Sequence, residues 1–196
     1  MKSLSRRGFL RTTALGLTAA GLAACSSTTA NGVTTYTLNV AEVTADGNAA
    51  LNITKTVLAF TGISPAVVAV ADTGITGIQA ALSAWNTFSQ GKASITFDKN
   101  SVPAEFTSVI TAIQNAATTV GNVVQSEAGT LSTDLIAKIQ AVSADVASVA
   151  AVLDSAVGSV AVSVALDAIG KTPEQWRRDR VNALLARHGL RPIAAR

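Results

Sequence analysis

Apolar residues recur along this chain in two distinct rhythms. Leu135, Ile139, Val142, Val146, Val149, Leu153, Ala156 and Val160 step by four and three without interruption, which predicts one long amphipathic helix. Phe106, Ile110, Ile113, Ala117, Val120 and Val124 repeat those steps after Pro103, which is expected in the first turn. Gly129 separates the two runs, so together they predict an antiparallel helical hairpin. Upstream, Ser64-Pro65 reads as a cap followed by a first-turn proline. It opens a helix whose inner positions are Val68, Ala71, Ile75, Ile78, Leu82 and Trp85, closed by Gly91. Gly74 and Gly77 are expected to weaken or kink it, each by about 1 kcal/mol relative to Ala. A shorter apolar face on Ile53, Val57 and Phe60 predicts one more helix, ended by Gly62.

The second rhythm has a period of two. Tyr36, Leu38 and Val40 alternate with Thr35, Thr37 and Asn39, as in a short strand with one buried face, and Ile95 and Phe97 alternate likewise and could pair with it. At the other end, Thr172 as a cap, Pro173 at the first helical position, Glu174 in the first turn and Gly189 after His188 delimit a helix over residues 173–188. Its apolar side is Trp176, Val181, Leu184 and Leu185, and its charges are Arg177, Arg178, Arg180 and Arg187. The fold class expected is therefore all-α: an antiparallel bundle of about four helices, with a short N-terminal β element and a basic C-terminal helix. Flanking positions hold mostly Ser, Thr, Ala, Gln and Asn instead of Glu and Lys pairs, which favours a folded-back bundle over a long coiled coil. No internal repeat beyond the shared helical period supports a solenoid.

The N-terminus follows neither rhythm. Ser5-Arg6-Arg7-Gly8-Phe9-Leu10 precedes a moderately apolar run over residues 12–24, and Leu22-Ala23-Ala24-Cys25 closes it. The first motif, on Ser5, Arg6, Arg7, Phe9 and Leu10, resembles the core of twin-arginine translocation signals. The second is similar to the lipobox of bacterial lipoproteins. Together they imply an exported lipoprotein: residues 1–24 are removed, and Cys25 carries the lipid as the first residue of the mature chain. The organisation expected is a signal peptide over 1–24, a flexible lipidated tether over 25–34, a bundle over 35–170 and a basic helix and tail over 171–196. Acyl chains contribute about 0.8 kcal/mol per buried methylene, so two or three of them anchor stably. The chain is expected to sit on a membrane without spanning it, since the most apolar later run, residues 155–166, is bounded by Asp154 and Asp167. Localisation is then the extracytoplasmic side of the cell envelope. Ser26, where an Asp is associated with inner-membrane retention, leans toward the outer membrane in a cell that has one.

Charge changes meaning once the leader is discounted. The full chain has 15 Lys and Arg against 12 Asp and Glu, but Lys2, Arg6, Arg7 and Arg11 lie in the leader. The rest is nearly neutral, an acidic body followed by a basic tail. Arg177, Arg178, Arg180 and Arg187 are candidate contacts for an envelope polyanion or anionic lipid. Nucleic acid is not an expected partner, because an exported protein meets little of it and stacking aromatics are scarce.

Chemistry-bearing patterns are thin. Cys25 is the only thiol and His188 the only imidazole, which is too few for a disulfide or a zinc site and leaves a Ser-His-Asp arrangement without a nucleophile motif. His188 reads as a favourable charge at a helix end. Asp134, Asp145 and Asp154 are too widely spaced on one helix for paired acid–base work and read as a solvated face. Asp98-Lys99-Asn100-Ser101 begins like a calcium loop but lacks its glycine and closing Glu, so it reads as a turn. No cofactor is expected. The function these residues favour is a non-catalytic structural or interaction role at the envelope. The alternatives are a bundle that engages membranes directly and a periplasmic ligand-binding or enzymatic domain with an unrecognised cofactor.

Overall fold

The computed structural model describes residues 25–30, 33–98, 100–158 and 173–193, and side chains within most of that range. These residues form an all-α bundle with a small antiparallel sheet. In chain order the elements are β1 (Cys25–Ala30), β2 (Val33–Asn39), α1 (Val40–Lys55), a 3-10 turn (Thr56–Ala59), α2 (Pro65–Phe88), β3 (Ser94–Asp98), α3 (Ala104–Ser126), α4 (Thr133–Gly158) and α5 (Pro173–Arg187).

The sheet has the order β1-β2-β3, antiparallel throughout. As the period-two pattern required, Tyr36 faces Phe97 and Leu38 faces Ile95 across β2 and β3, and the four side chains are buried. The Tyr36 and Phe97 rings stack with centroids 5.8 Å apart. On the opposite, polar face Thr37 and Thr96 share a hydroxyl contact of 3.2 Å. Two expectations change here. Val40 is not the last strand residue but the first of α1, because the Asn39 side chain caps the helix by accepting from the Glu42 amide. The segment expected as a flexible tether instead supplies β1, paired from Cys25 opposite Leu38 to Ala30 opposite Val33. Its Thr residues, and those of β2 opposite them, favour extended backbone, and the residues between the strands are Asn31 and Gly32, a strong hairpin signal.

α1 starts some ten residues earlier than its apolar face suggested. Ahead of Leu51 it is buried through Val43, Asp46, Gly47, Ala49 and Ala50, mostly small or polar residues that carry little apolar pattern. Gly47 has a packing reason: a Cβ there would lie 2.5 Å from Leu82 Cδ2, so α1 and α2 approach closely. Gly62 ends the unit with φ +83°.

In α2, Ser64 Oγ accepts from the Val67 amide and Pro65 occupies the first turn, as expected. The inner row begins with Val67, not Val68, and continues through Ala71, Ile75, Ile78, Leu82 and Trp85. Gly74 faces α3, where a Cβ would meet Ala116 Cβ at 2.9 Å and Cα at 3.2 Å, whereas Gly77 faces open space. All six expected positions of α3 are buried, and so are the six of α4 from Leu135 to Leu153. Ala156 and Val160 lie outside the described side chains. Pro103 sits at the N-cap of α3, one place before the helix. Trp85 is fully buried between Phe88 and Phe106, each 6.0 Å away by ring centroids. α3 and α4 also touch through small residues, with the Ser143 hydroxyl donating to the Ala117 carbonyl beside Gly121.

α5 closes the bundle. Val181, Leu184 and Leu185 are buried in the common core, and the side chain of Trp176 lies outside the described residues. Gly189, at φ +65°, ends the helix while the Leu190 amide reaches back to the Leu185 carbonyl. The chain then folds over α5, with Asn182 bonding both the amide and the carbonyl of Ile193.

Candidate functional site

The charged side chains converge where α5 meets α1 and α4. Along α1, Glu42 and Asp46 are one helical turn apart and point toward α5. Arg178 donates to Glu42 at 3.1 Å, both being about one quarter exposed. Asp46 is only 7% exposed. Burial, reinforced by the Glu42 charge, pushes its carboxyl up to about 7 against the opposing pull of Arg177 and Arg178. Arg177 is equally buried, and among the described residues its Nε and Nη2 have no hydrogen-bond partner. At the other end of α5, Asp145 of α4 takes Arg187 Nη1 on one oxygen at 2.8 Å and His188 Nε2 on the other at 3.0 Å. Asp145 is buried, His188 nearly so, and Arg187 largely exposed.

This geometry corrects several expectations. Asp145 does not belong to a solvated face, and His188 is more than a charge at a helix end, because the two grip each other across elements. Asp134 does face solvent, paired with Lys138 one turn on. Of the candidate polyanion contacts, Arg177 is buried, and Arg178 and Arg187 are engaged by acids of the body; Arg180 is exposed, and it too has an interaction within the chain. The acidic body and basic tail are therefore complementary halves of one seam: opposite charges 42 to 136 residues apart in the chain are brought into contact. Sequence reasoning missed Asp46 altogether. Its one signal was its place, an acid four residues after Glu42 in a helix not yet recognised as such.

Open clefts flank the seam. One, of about 490 Å3, lies between α1 and the C-terminal segment and includes Asn48, Asn52, Leu190 and Arg191. Another, of about 570 Å3, runs between α1 and α2 past Gln79, Asn86 and Gln90. Neither contains an ionisable pair. Asp98 forms the turn expected of it, its carboxylate accepting from the Asn100 amide at 2.7 Å and its own backbone amide donating to Ser101 Oγ at 3.1 Å. Among the described residues no group of three or more His, Cys, Asp or Glu is arranged to hold a metal. The residues of the expected leader, Ser5, Arg6, Arg7, Phe9, Leu10, Leu22, Ala23 and Ala24, lie outside the described residues. Cys25 is described only by its backbone, at the start of β1.

α2 and residues Thr133–Ser155 of α4 are long and apolar enough to cross a membrane by length and composition, although residues 155–166 had seemed the most apolar run. Both are core helices of the bundle, with their inner rows packed on α3. Compared with protein-family models, curated proteins and solved structures, the chain matches none.

Proposed function

We propose that this chain is an exported lipoprotein of the cell envelope, held at a membrane by lipid on Cys25, whose helical bundle has a non-catalytic structural or interaction role. The observation that carries the proposal is the coincidence, within 25 residues, of Ser5-Arg6-Arg7-Gly8-Phe9-Leu10 with Leu22-Ala23-Ala24-Cys25, the second ending on the only thiol in the sequence. Two features of the fold support the role assigned to the domain. Arg178, Arg187 and His188 are paired with acids of α1 and α4, where they fasten a helix, and the clefts beside them are open and contain no ionisable pair. The partners are the membrane and an envelope protein; attraction of the tail to anionic lipid is a lesser contribution, since Arg178 and Arg187 are already paired. The outer membrane is the location favoured by Ser26 in a cell with two membranes.

Metabolic labelling with an alkyne fatty acid, followed by fractionation, tests the proposal. The native chain is expected to take the label and sediment with membranes, and Cys25→Ser to lose both. Paired Arg6→Lys and Arg7→Lys changes are expected to leave the unprocessed precursor inside the cell. A Cys25→Ser chain that is processed and partitions as the native one does would overturn the reading.

A second reading, that the bundle engages bilayers directly, has one observation in its favour. In the most apolar window of α2 only a third of the residues are buried. Dye-loaded vesicles exposed to the Cys25→Ser mature chain distinguish the two, since direct engagement requires leakage and the proposal above requires none.

A further inference from the structure

The attachment point has no slack. A free ten-residue tether would let the domain float at a root-mean-square reach of roughly 18 Å and tumble. Here strand pairing begins at Cys25 itself, opposite Leu38, and Leu38 in turn faces Ile95 of β3. Neighbouring strands lie about 4.8 Å apart, so Cys25 is about 10 Å from β3 across the sheet. The same end of the molecule holds the start of α1 and the turn from α2 into β3, joined by the Val40 amide on the Ala93 carbonyl. Its exposed residues are Ala41, Gln90, Gly91, Lys92, Ala93 and Ser94, polar or small, with the Lys92 ammonium held 4.9 Å over the Phe88 ring. Such a surface suits the headgroup layer and not the acyl interior. The opposite end of the α1–α2 pair is the loop at Thr61 and Gly62, one α2 length away, about 36 Å for 24 residues.

Resting on the lipidation proposed above, we infer that the bundle docks on the phospholipid headgroups in one fixed orientation, with the α1 start and the α2–β3 turn against the membrane and the Thr61 loop pointing away. The lipid is joined to Cys25 itself, the first residue of β1, so the headgroup layer must reach to within a few bonds of the strand. β1 is bonded into the sheet, and the sheet is packed on the bundle through Leu38, Ile95 and Phe97. Rotation of the domain about the anchor is therefore resisted by six paired residues instead of being absorbed by a linker. Orientation follows from the attachment, with Lys92 adding attraction to anionic headgroups.

The test uses the lipidated mature chain in phosphatidylethanolamine–phosphatidylglycerol vesicles bearing a headgroup acceptor dye. The sulfur of Cys25 is blocked by its thioether, so a donor can be placed at one new thiol: Gln90→Cys or Ala41→Cys near the proposed face, Thr61→Cys at the far end. Energy transfer from either near site is expected to exceed that from Thr61→Cys at least about threefold, given the ~36 Å length of α2. A ten-residue Gly-Ser insertion after Cys25 is expected to abolish the difference. Equal transfer from lipidated near and far variants, or stronger transfer from Thr61→Cys, would overturn the orientation while leaving the lipoprotein reading intact. Mass spectrometry of the same samples separates the failures, because a chain without lipid removes both.

Discussion

The carboxyl of Asp46 is buried in the fold, and the consequence is a stability that depends on pH. Its carboxyl, raised from 3.8 to about 7, binds a proton in the folded chain over a window where the unfolded chain has released it. The folded state therefore holds more protons between pH 4 and 7, and stability falls as pH rises through that window. Asp46→Asn, which mimics the protonated form, is expected to flatten this dependence and to stabilise the protein at pH 8 by on the order of 1–4 kcal/mol. Urea denaturation at pH 5 and pH 8 measures it, and unchanged pH dependence would show that the carboxyl is solvated. The same substitution at Asp145 is expected to destabilise. It is buried but both oxygens are engaged, so Asp145→Asn is expected to cost about 1–3 kcal/mol, toward the lower end because Arg187 is largely exposed.

At the scale of elements, two glycines of one helix give opposite outcomes. Gly77→Ala is expected to stabilise by about 0.5–1 kcal/mol, since nothing lies within 4 Å of the new methyl and the helix gains propensity. Gly74→Ala is expected to destabilise despite the same gain, because the methyl would press on the Ala116 backbone of α3. Thermal denaturation of the pair checks both signs. α5 is fastened by Glu42 and Asp145 and by three buried aliphatic side chains, so Asp145→Asn should accelerate hydrogen exchange in α5 before it does in α3. The elements built on large apolar residues were legible in the sequence: α2, α3, α4 and the β2–β3 pair all follow from period alone. Those built on small or polar residues were not. Ahead of Leu51, α1 buries Asp46, Gly47 and Ala50, and β1 is a Ser-Thr edge strand without alternation, so neither carries a strong hydrophobic signal. The seam at α5 was half legible, as an uneven distribution of charge. Which acid meets which arginine depends on contacts up to 136 residues apart, set by helix packing and invisible to local pattern.

For the whole molecule, small residues such as Gly47, Gly74 and Gly121 let helices approach closely, while in the proposal above residues 1–25 determine where that body resides. Removing the aromatic centre by Trp85→Ala is expected to cost about 3–5 kcal/mol, measurable by denaturation and without effect on lipid attachment, since the leader and Cys25 are untouched. Folding and the proposed anchoring are in this sense separable. The anchor itself is open to direct measurement by the intact mass and N-terminal peptide of the protein taken from the membranes of cells that make it. The expected result is a chain beginning at Cys25 with diacylglycerol on its sulfur; a mature chain that begins elsewhere, or an unmodified Cys25, would contradict it.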